Sequence, residues 1–251
     1  MHRYLLKISF DGTPFHGWQV QPNNPSVQQE LNKTLSSIFQ EEINVVGCGR
    51  TDTGVHAKNF FLHFDCTKKT DDYTLLHKLN TMLPSQIAVH KLWEVNSGFN
   101  ARFDALSRTY EYHIHLHKDP FKANLSYKLA GSVPNLEKMN QAAKLLLGEK
   151  DFSCFSKSKT QTKTNNCEIT FAEWVEIENG LVFKITANRF LRNMVRAIVG
   201  TLLQVGNEKL KVEEIINIIE SKNRSNAGSS VPACGLYLTE VKYPNSVFNG
   251  K

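Results

Sequence analysis

Gly47-Cys48-Gly49-Arg50-Thr51-Asp52-Thr53-Gly54-Val55-His56-Ala57 lies between Ile43-Asn44-Val45-Val46 and Phe60-Phe61-Leu62-His63-Phe64, and the fold turns on how this stretch is read. An apolar run precedes the glycine-rich segment and an alternating aromatic run follows it. The pattern predicts strand, loop and strand in place of a single amphipathic helix. The loop carries one carboxylate, Asp52, and one guanidinium, Arg50, on a backbone with glycines at 47, 49 and 54. Glycine permits positive φ and the close approach of another group, and an ordinary turn does not need it three times. Taken alone, the same residues also describe a surface turn with a solvated aspartate.

Outward from this loop, residues 4–10 predict a strand closed by the turn signal Asp11-Gly12. Ser26 and Gln29 have the spacing of a capping box, opening a helix that buries Val27, Leu31, Leu35 and Ile38. Leu75, Leu76, Leu79, Met82 and Leu83 predict a second helix stopped by Pro84, before a strand at 87–95. The first hundred residues thus read β-α-β-β-α-β. The second part opens on a long strand at 107–117, with Tyr110, Tyr112, Ile114 and Leu116 on one face. Thr109, Glu111, His113, His115 and His117 take the other. On this pattern Tyr110 belongs to the core and the histidines face solvent or RNA, without a metal. Asn135 caps a helix ended by Gly148, strands at 169–177 and 181–187 are joined by Asn179-Gly180, helices follow at 190–205 and 212–220, and 236–243 is a last strand. The order of elements repeats with one extra helix. The expected architecture is α+β: two similar halves, 1–105 and 106–251, forming a mixed, mainly antiparallel sheet flanked by helices, with a cleft as the default site.

The chain has 251 residues, 41% of them hydrophobic, enough for a substantial core. Thirty Lys and Arg against 24 Asp and Glu give a formal charge of +6, which favours a polyanionic partner. Five scattered cysteines without a Cys-x-x-Cys pair point to a reducing cytoplasm and to neither zinc nor a disulfide framework. No signal-peptide pattern or membrane-length apolar run is read. Arg189, Arg192 and Arg196 fall at i, i+3 and i+7 on the predicted helix, among Phe190, Leu191, Met194, Val195, Ile198 and Val199. Guanidinium groups on so apolar a helix need carboxylate or phosphate partners. Lys157, Lys159 and Lys163 line a polar loop that fits a phosphate-grasping flap. P-loop and dinucleotide fingerprints are absent, as is any serine or cysteine nucleophile motif. A carboxylate without a paired second one argues against glycoside hydrolysis and for a carboxylate nucleophile.

With these residues assembled, the chain resembles the TruA family of tRNA pseudouridine synthases over nearly its whole length. The resemblance is carried by Phe10-Asp11-Gly12-Thr13 with Phe15-His16-Gly17-Trp18-Gln19, by residues 49–57, and by Ala101-Arg102-Phe103-Asp104-Ala105. Arg108-Thr109-Tyr110-Glu111-Tyr112, Phe190-Leu191-Arg192-Asn193-Met194-Val195-Arg196 and Gly235-Leu236-Tyr237-Leu238 complete it. The resemblance implies a pseudouridine synthase fold with a central RNA-binding cleft, acting on uridines 38, 39 and 40 of the tRNA anticodon stem and loop. It implies a homodimer that needs no cofactor or metal. Asp52 matches the family's nucleophile, Tyr110 its active-site tyrosine and Arg196 its carboxylate-pairing arginine. Tyr110, Arg50 and Leu236 are carried over as substrate-binding residues, and Arg50, His56, Arg189, Arg192, Lys157 and Lys159 as RNA-binding residues. The chain departs from the family pattern at Asn59-Phe60-Phe61, at Asn100 and at Cys167, none of them at the nucleophile. Rival readings are a tRNA-binding chaperone without chemistry and a nucleoside hydrolase, which the lack of a second carboxylate disfavours.

Overall fold

A computed structural model describes residues 1–157 and 164–248. In chain order its principal elements are β1 (His2–Phe10), α1 (Val27–Phe39), β2 (Val46–Gly47), β3 (His56–Cys66), α2 (Asp72–Met82), β4 (Ile87–Val95), β5 (Ser107–His115), β6 (Tyr127–Lys128), α3 (Leu136–Lys144), β7 (Gly148–Asp151), β8 (Asn166–Ile177), β9 (Gly180–Ala187), α4 (Met194–Gly206), α5 (Glu214–Ser221) and β10 (Leu236–Lys242). The helices accompany strands that pair mainly antiparallel, as in an α+β protein, in two compact units: Met1–Leu106 with the described residues from Tyr237 onward, and Ser107–Leu236.

In the first unit β1 lies between β4 and β3, antiparallel to both, and β2 pairs on the edge of β3. The capping serine works as its spacing predicts: Ser26 Oγ accepts the amide of Gln29, and α1 buries Val27, Leu31, Thr34, Leu35 and Phe39. Strand β2 is shorter than the apolar run suggests, because side chains of the first helix segment take over the backbone groups before it. Ser36 Oγ accepts Ile43 N–H, Asn32 Oδ1 accepts Val45 N–H, and Gln28 Nε2 donates to Val45 O. Strand β3 is buried on both faces, with Phe60, Leu62 and Phe64 on one and Phe61 and His63 on the other. Phe61 packs near Trp93, Tyr243 and Phe248, so the C-terminal segment supplies part of its cover. β10 runs parallel to β3, with Tyr237 opposite His56 and Leu238 opposite Ala57. The sequence reading keeps 106–251 together; the strand pairing places the last strand with the first unit.

In the second unit the strand order is β5-β9-β8-β7, antiparallel throughout, with β6 parallel to the end of β5. Asn135 caps α3 by accepting the amide of Lys138. Two local expectations change. The hairpin tip is Glu178-Asn179, with Ile177 opposite Gly180. Asn179 alone takes the left-handed conformation, at φ 59°. Gly180 is needed for contact, since a Cβ there would lie 2.2 Å from Ile114 O. Helix α4 starts at Met194, four residues later than the periodicity suggests. Asn193 is left-handed at φ 66°, and its side-chain amide donates to Ser230 Oγ at 2.5 Å. Arg189 and Arg192 therefore precede the helix, and the three-arginine stripe does not form; Arg196 alone lies on α4.

Candidate active site

The loop bearing Asp52 is held from behind by the segment 15–18 of the same unit. Trp18 N–H donates to Thr51 O at 3.2 Å, and Gly54 N–H donates to Phe15 O at 3.3 Å. Val55 N–H donates to Asp52 O at 3.1 Å, closing a tight turn in which Gly54 has φ 75°. Gly17 is constrained twice, by φ 88° and by contact: a Cβ there would lie 2.4 Å from Thr51 O. Trp18 stacks on Phe60 at 4.2 Å, and its indole fills the space where a Cβ on Gly47 would stand. Asp52 is half-buried on this mount and Arg50 is exposed beside it. Thr51 Oγ1 is buried without a hydrogen-bond partner among the described residues. The three loop glycines thus differ in purpose: Gly54 for its backbone angle, Gly47 for close approach, and Gly49 for neither.

His56 does not fit a contact with RNA, because it is 1% exposed. Its Nδ1 accepts Gly12 N–H at 3.1 Å, and its ring stacks on Tyr237 at 4.6 Å. The Asp11 carboxylate stands 3.0 Å from the same Nδ1. Asp11 is itself held by the amide and hydroxyl of Thr13. The imidazole is a brace between the first turn and the strand leaving the Asp52 loop.

In the second unit Tyr110 and Tyr112 share one face of β5, but their surroundings differ. Tyr112 is the core tyrosine, fully buried, donating from its hydroxyl to Pro232 O at 2.8 Å. Tyr110, which the strand pattern assigns to the core, is half-buried, with Phe190 edge-on at 5.2 Å. Phe190 thus acts from the loop before α4, as a wall for that tyrosine.

Arg196 is half-buried and aimed by a strap of chain that lies along α4. Its Nε donates to Val231 O at 2.8 Å, and Val231 N–H donates back to Arg196 O at 3.2 Å. Upstream, Gly228 N–H donates to Thr201 Oγ1, and a Cβ on Gly200 would lie 1.8 Å from Ser229 O. Small residues on helix and strap let the two backbones meet. Nothing in the spacing of the arginines points to this strap; its only sequence signal is the small-residue run Ala227-Gly228-Ser229-Ser230. Leu236, at the head of β10, is buried.

The remaining basic residues divide. Lys157 and Arg192 are exposed and adjoin, since Lys157 N–H donates to Arg192 O at 3.1 Å. Arg189 is half-buried near Cys167, a buried thiol that desolvation pushes up to about 11. Lys159 and Lys163 lie outside the described residues. Of the three histidines on the second-unit strand, His115 is buried, His113 meets Glu111 at 3.2 Å, and His117 lies beyond the strand. The solvated histidine face is therefore only partly realised. Among the described residues no three His, Cys, Asp or Glu side chains group in a way that could hold a metal ion, and no helix is long and apolar enough to cross a membrane.

In the first unit the chemically notable group is a carboxylate on a braced loop; in the second they are a tyrosine with an aromatic neighbour and an arginine held through its Nε. Residues 7–104 and 142–244 match the profile of a family described as tRNA pseudouridine synthase. The tRNA pseudouridine synthase A of Porphyromonas gingivalis is 48% identical over 252 residues, covering 99% of this chain and 100% of that one. That of Bacteroides thetaiotaomicron is 46% identical over 252 residues, covering 99% and 93%. That of Bacillus subtilis is 40% identical over 247 residues, covering 97% and 100%. With two separate profile segments and full-length relatives in agreement, the chain belongs to the tRNA pseudouridine synthase family.

Proposed function

We propose that this protein isomerises uridine to pseudouridine at positions 38, 39 and 40 of the tRNA anticodon stem and loop, with Asp52 as the nucleophile. The observation that carries the reading is the intact Gly-Arg-Thr-Asp-Thr-Gly loop, buttressed by residues 15–18, in a chain of this family. The reaction breaks the bond from C1′ to N1, turns the uracil while it is held, and joins C1′ to C5; the hydrogen at C5 leaves as a proton and N1 takes one up. The Asp52 carboxylate attacks C6 of the ring or C1′ of the ribose, and the covalent bond it forms is broken again at the end. Substrate and product are isomers with no change of oxidation state, so the chemistry needs no external oxidant or reductant.

The other roles follow from what such a reaction demands. Arg196, held through its Nε by Val231 O, supplies the cationic group that keeps a carboxylate ionised and aimed. The target uridine must leave its stack, at a cost of roughly a few kcal/mol, and the Tyr110 ring offers the base a replacement surface and a hydroxyl. Leu236 serves as an apolar wall for the substrate. Arg50, Arg192, Arg189 and Lys157, with Lys159, hold the RNA by its phosphates and shape. The protein acts in the cytoplasm, as a homodimer gripping tRNA with both subunits.

The test supplies tRNA tritiated at uridine C5. The protein is expected to release tritium, and Asp52→Ala to release none while still binding tRNA. A wild-type protein that binds tRNA without release is a binding protein only and overturns the proposal. Free uracil with loss of base mass from the RNA would identify a hydrolase instead.

A further inference from the structure

The block Ala101-Arg102-Phe103-Asp104-Ala105 has no part in the reaction above, yet the structure fixes it firmly. Asn100 Oδ1 accepts the amides of both Arg102 and Phe103, at 2.9 and 3.2 Å. The chain returns the grip in both directions: Asp104 Oδ2 accepts Asn100 N–H at 2.7 Å, and Asp104 N–H donates to Asn100 O at 3.0 Å. Ala101 is pinned on each side, its amide donating to His63 Nδ1 at 3.1 Å and its carbonyl accepting Tyr243 Oη at 2.5 Å. Asn100 stands where the family pattern has histidine, and its amide oxygen is what organises the turn.

What the turn presents is two side chains pointing out. Phe103 is 76% exposed, and the Arg102 guanidinium lies over its ring at 5.5 Å from the centroid. An aromatic ring with a cation beside it, displayed on rigid backbone, is a stacking platform with a phosphate anchor, the pairing used to hold unstacked nucleotides. We propose that Arg102 and Phe103 form a tRNA-binding contact in addition to the catalytic residues: Phe103 stacks on an unpaired base of the tRNA, and Arg102 holds an adjoining phosphate.

This inference rests on tRNA being the substrate, and its test separates the two. Filter binding gives the Kd for tRNA, and tritium release gives kcat and KM. Phe103→Ala is expected to raise Kd and KM by about tenfold with kcat unchanged, and Phe103→Trp to restore both, because stacking tolerates any aromatic face. Arg102→Ala is expected to reduce the slope of log Kd against log salt by about 0.7 to 0.9, as one phosphate fewer is neutralised. Light scattering on Phe103→Ala reads the assembly state. Unchanged Kd in Phe103→Ala overturns the proposal, and so does a changed assembly state with unchanged affinity, which would make the pair a protein contact. Absence of tritium release from wild type condemns the isomerase reading, while the comparison of Kd values still decides this one.

Discussion

His63 shows how one buried side chain records its surroundings. It lies on the non-helical face of β3, accepts Ala101 N–H, and is held down to about 4 by burial and by Arg3, against the opposing pull of Asp65 and Asp104. Its ordinary value is 6.5, so the unfolded chain binds the proton first as pH falls. The stabilisation is therefore complete above about 6.5 and is lost as pH falls from there towards about 4. Arg3 and Asp65 next to it form a two-pronged ion pair at 2.7 and 2.6 Å that holds the Asp65 carboxyl below its usual range. His63→Gln keeps a hydrogen-bond acceptor without the titration. Urea midpoints measured across pH are expected to show wild type losing stability relative to His63→Gln within that window, and parallel curves would refute the assignment. At this scale the residue patterns alone read a surface turn at Asp52 and a core tyrosine at Tyr110, and the candidate roles of Asp52, Tyr110 and Arg196 come from the dense motifs that carry the family resemblance. The burial of His56 was not legible, since alternation along a strand does not reveal which ring the parallel β10 strand will lay over it.

At the scale of elements, the union of α4 and the strap 228–235 orients Arg196. A methyl group at position 200 would meet Ser229 O, so Gly200→Ala must displace the strap. The expected loss of stability is about 2 kcal/mol, within the range for overpacking. A displacement of the strap also loosens the bond from Arg196 to Val231 O, and a misplacement of about 1 Å lowers kcat roughly a hundredfold. Asn135→Ala removes the cap of α3 and should lose about 1 kcal/mol with kcat unchanged. Measuring denaturation and turnover for both variants separates aim from stability; equal kcat in the two would exclude a positioning role for the strap. Helix caps are legible in the sequence because Ser26 and Asn135 act within three residues. The start of α4 is not, because it depends on Asn193 reaching Ser230, 37 positions away.

At the scale of the whole molecule, the last strand returns to the first unit. Asn59 Nδ2 donates to Thr239 O, Tyr243 Oη donates to Ala101 O, and Tyr237 covers His56. Truncation after Leu236 removes the parallel partner of β3 and uncovers Phe61 and Trp93. Hydrogen exchange on the truncated chain is expected to show loss of protection in β3 and β1, with the β8–β9 hairpin still protected. Uniform loss in both units would mean that they unfold as one.

The α+β class, the order of most elements and the capped helix starts follow from the order of residues along the chain. They depend on periodicity, on hydrogen bonds between near neighbours and on motifs contiguous in sequence. Four outcomes needed the folded chain: which glycines are obligatory, where α4 begins, that the strap 228–235 aims Arg196, and that β10 belongs beside β3. Each is fixed by atoms far apart in sequence that approach to within a hydrogen bond or a van der Waals contact, and residue type alone does not encode such distances.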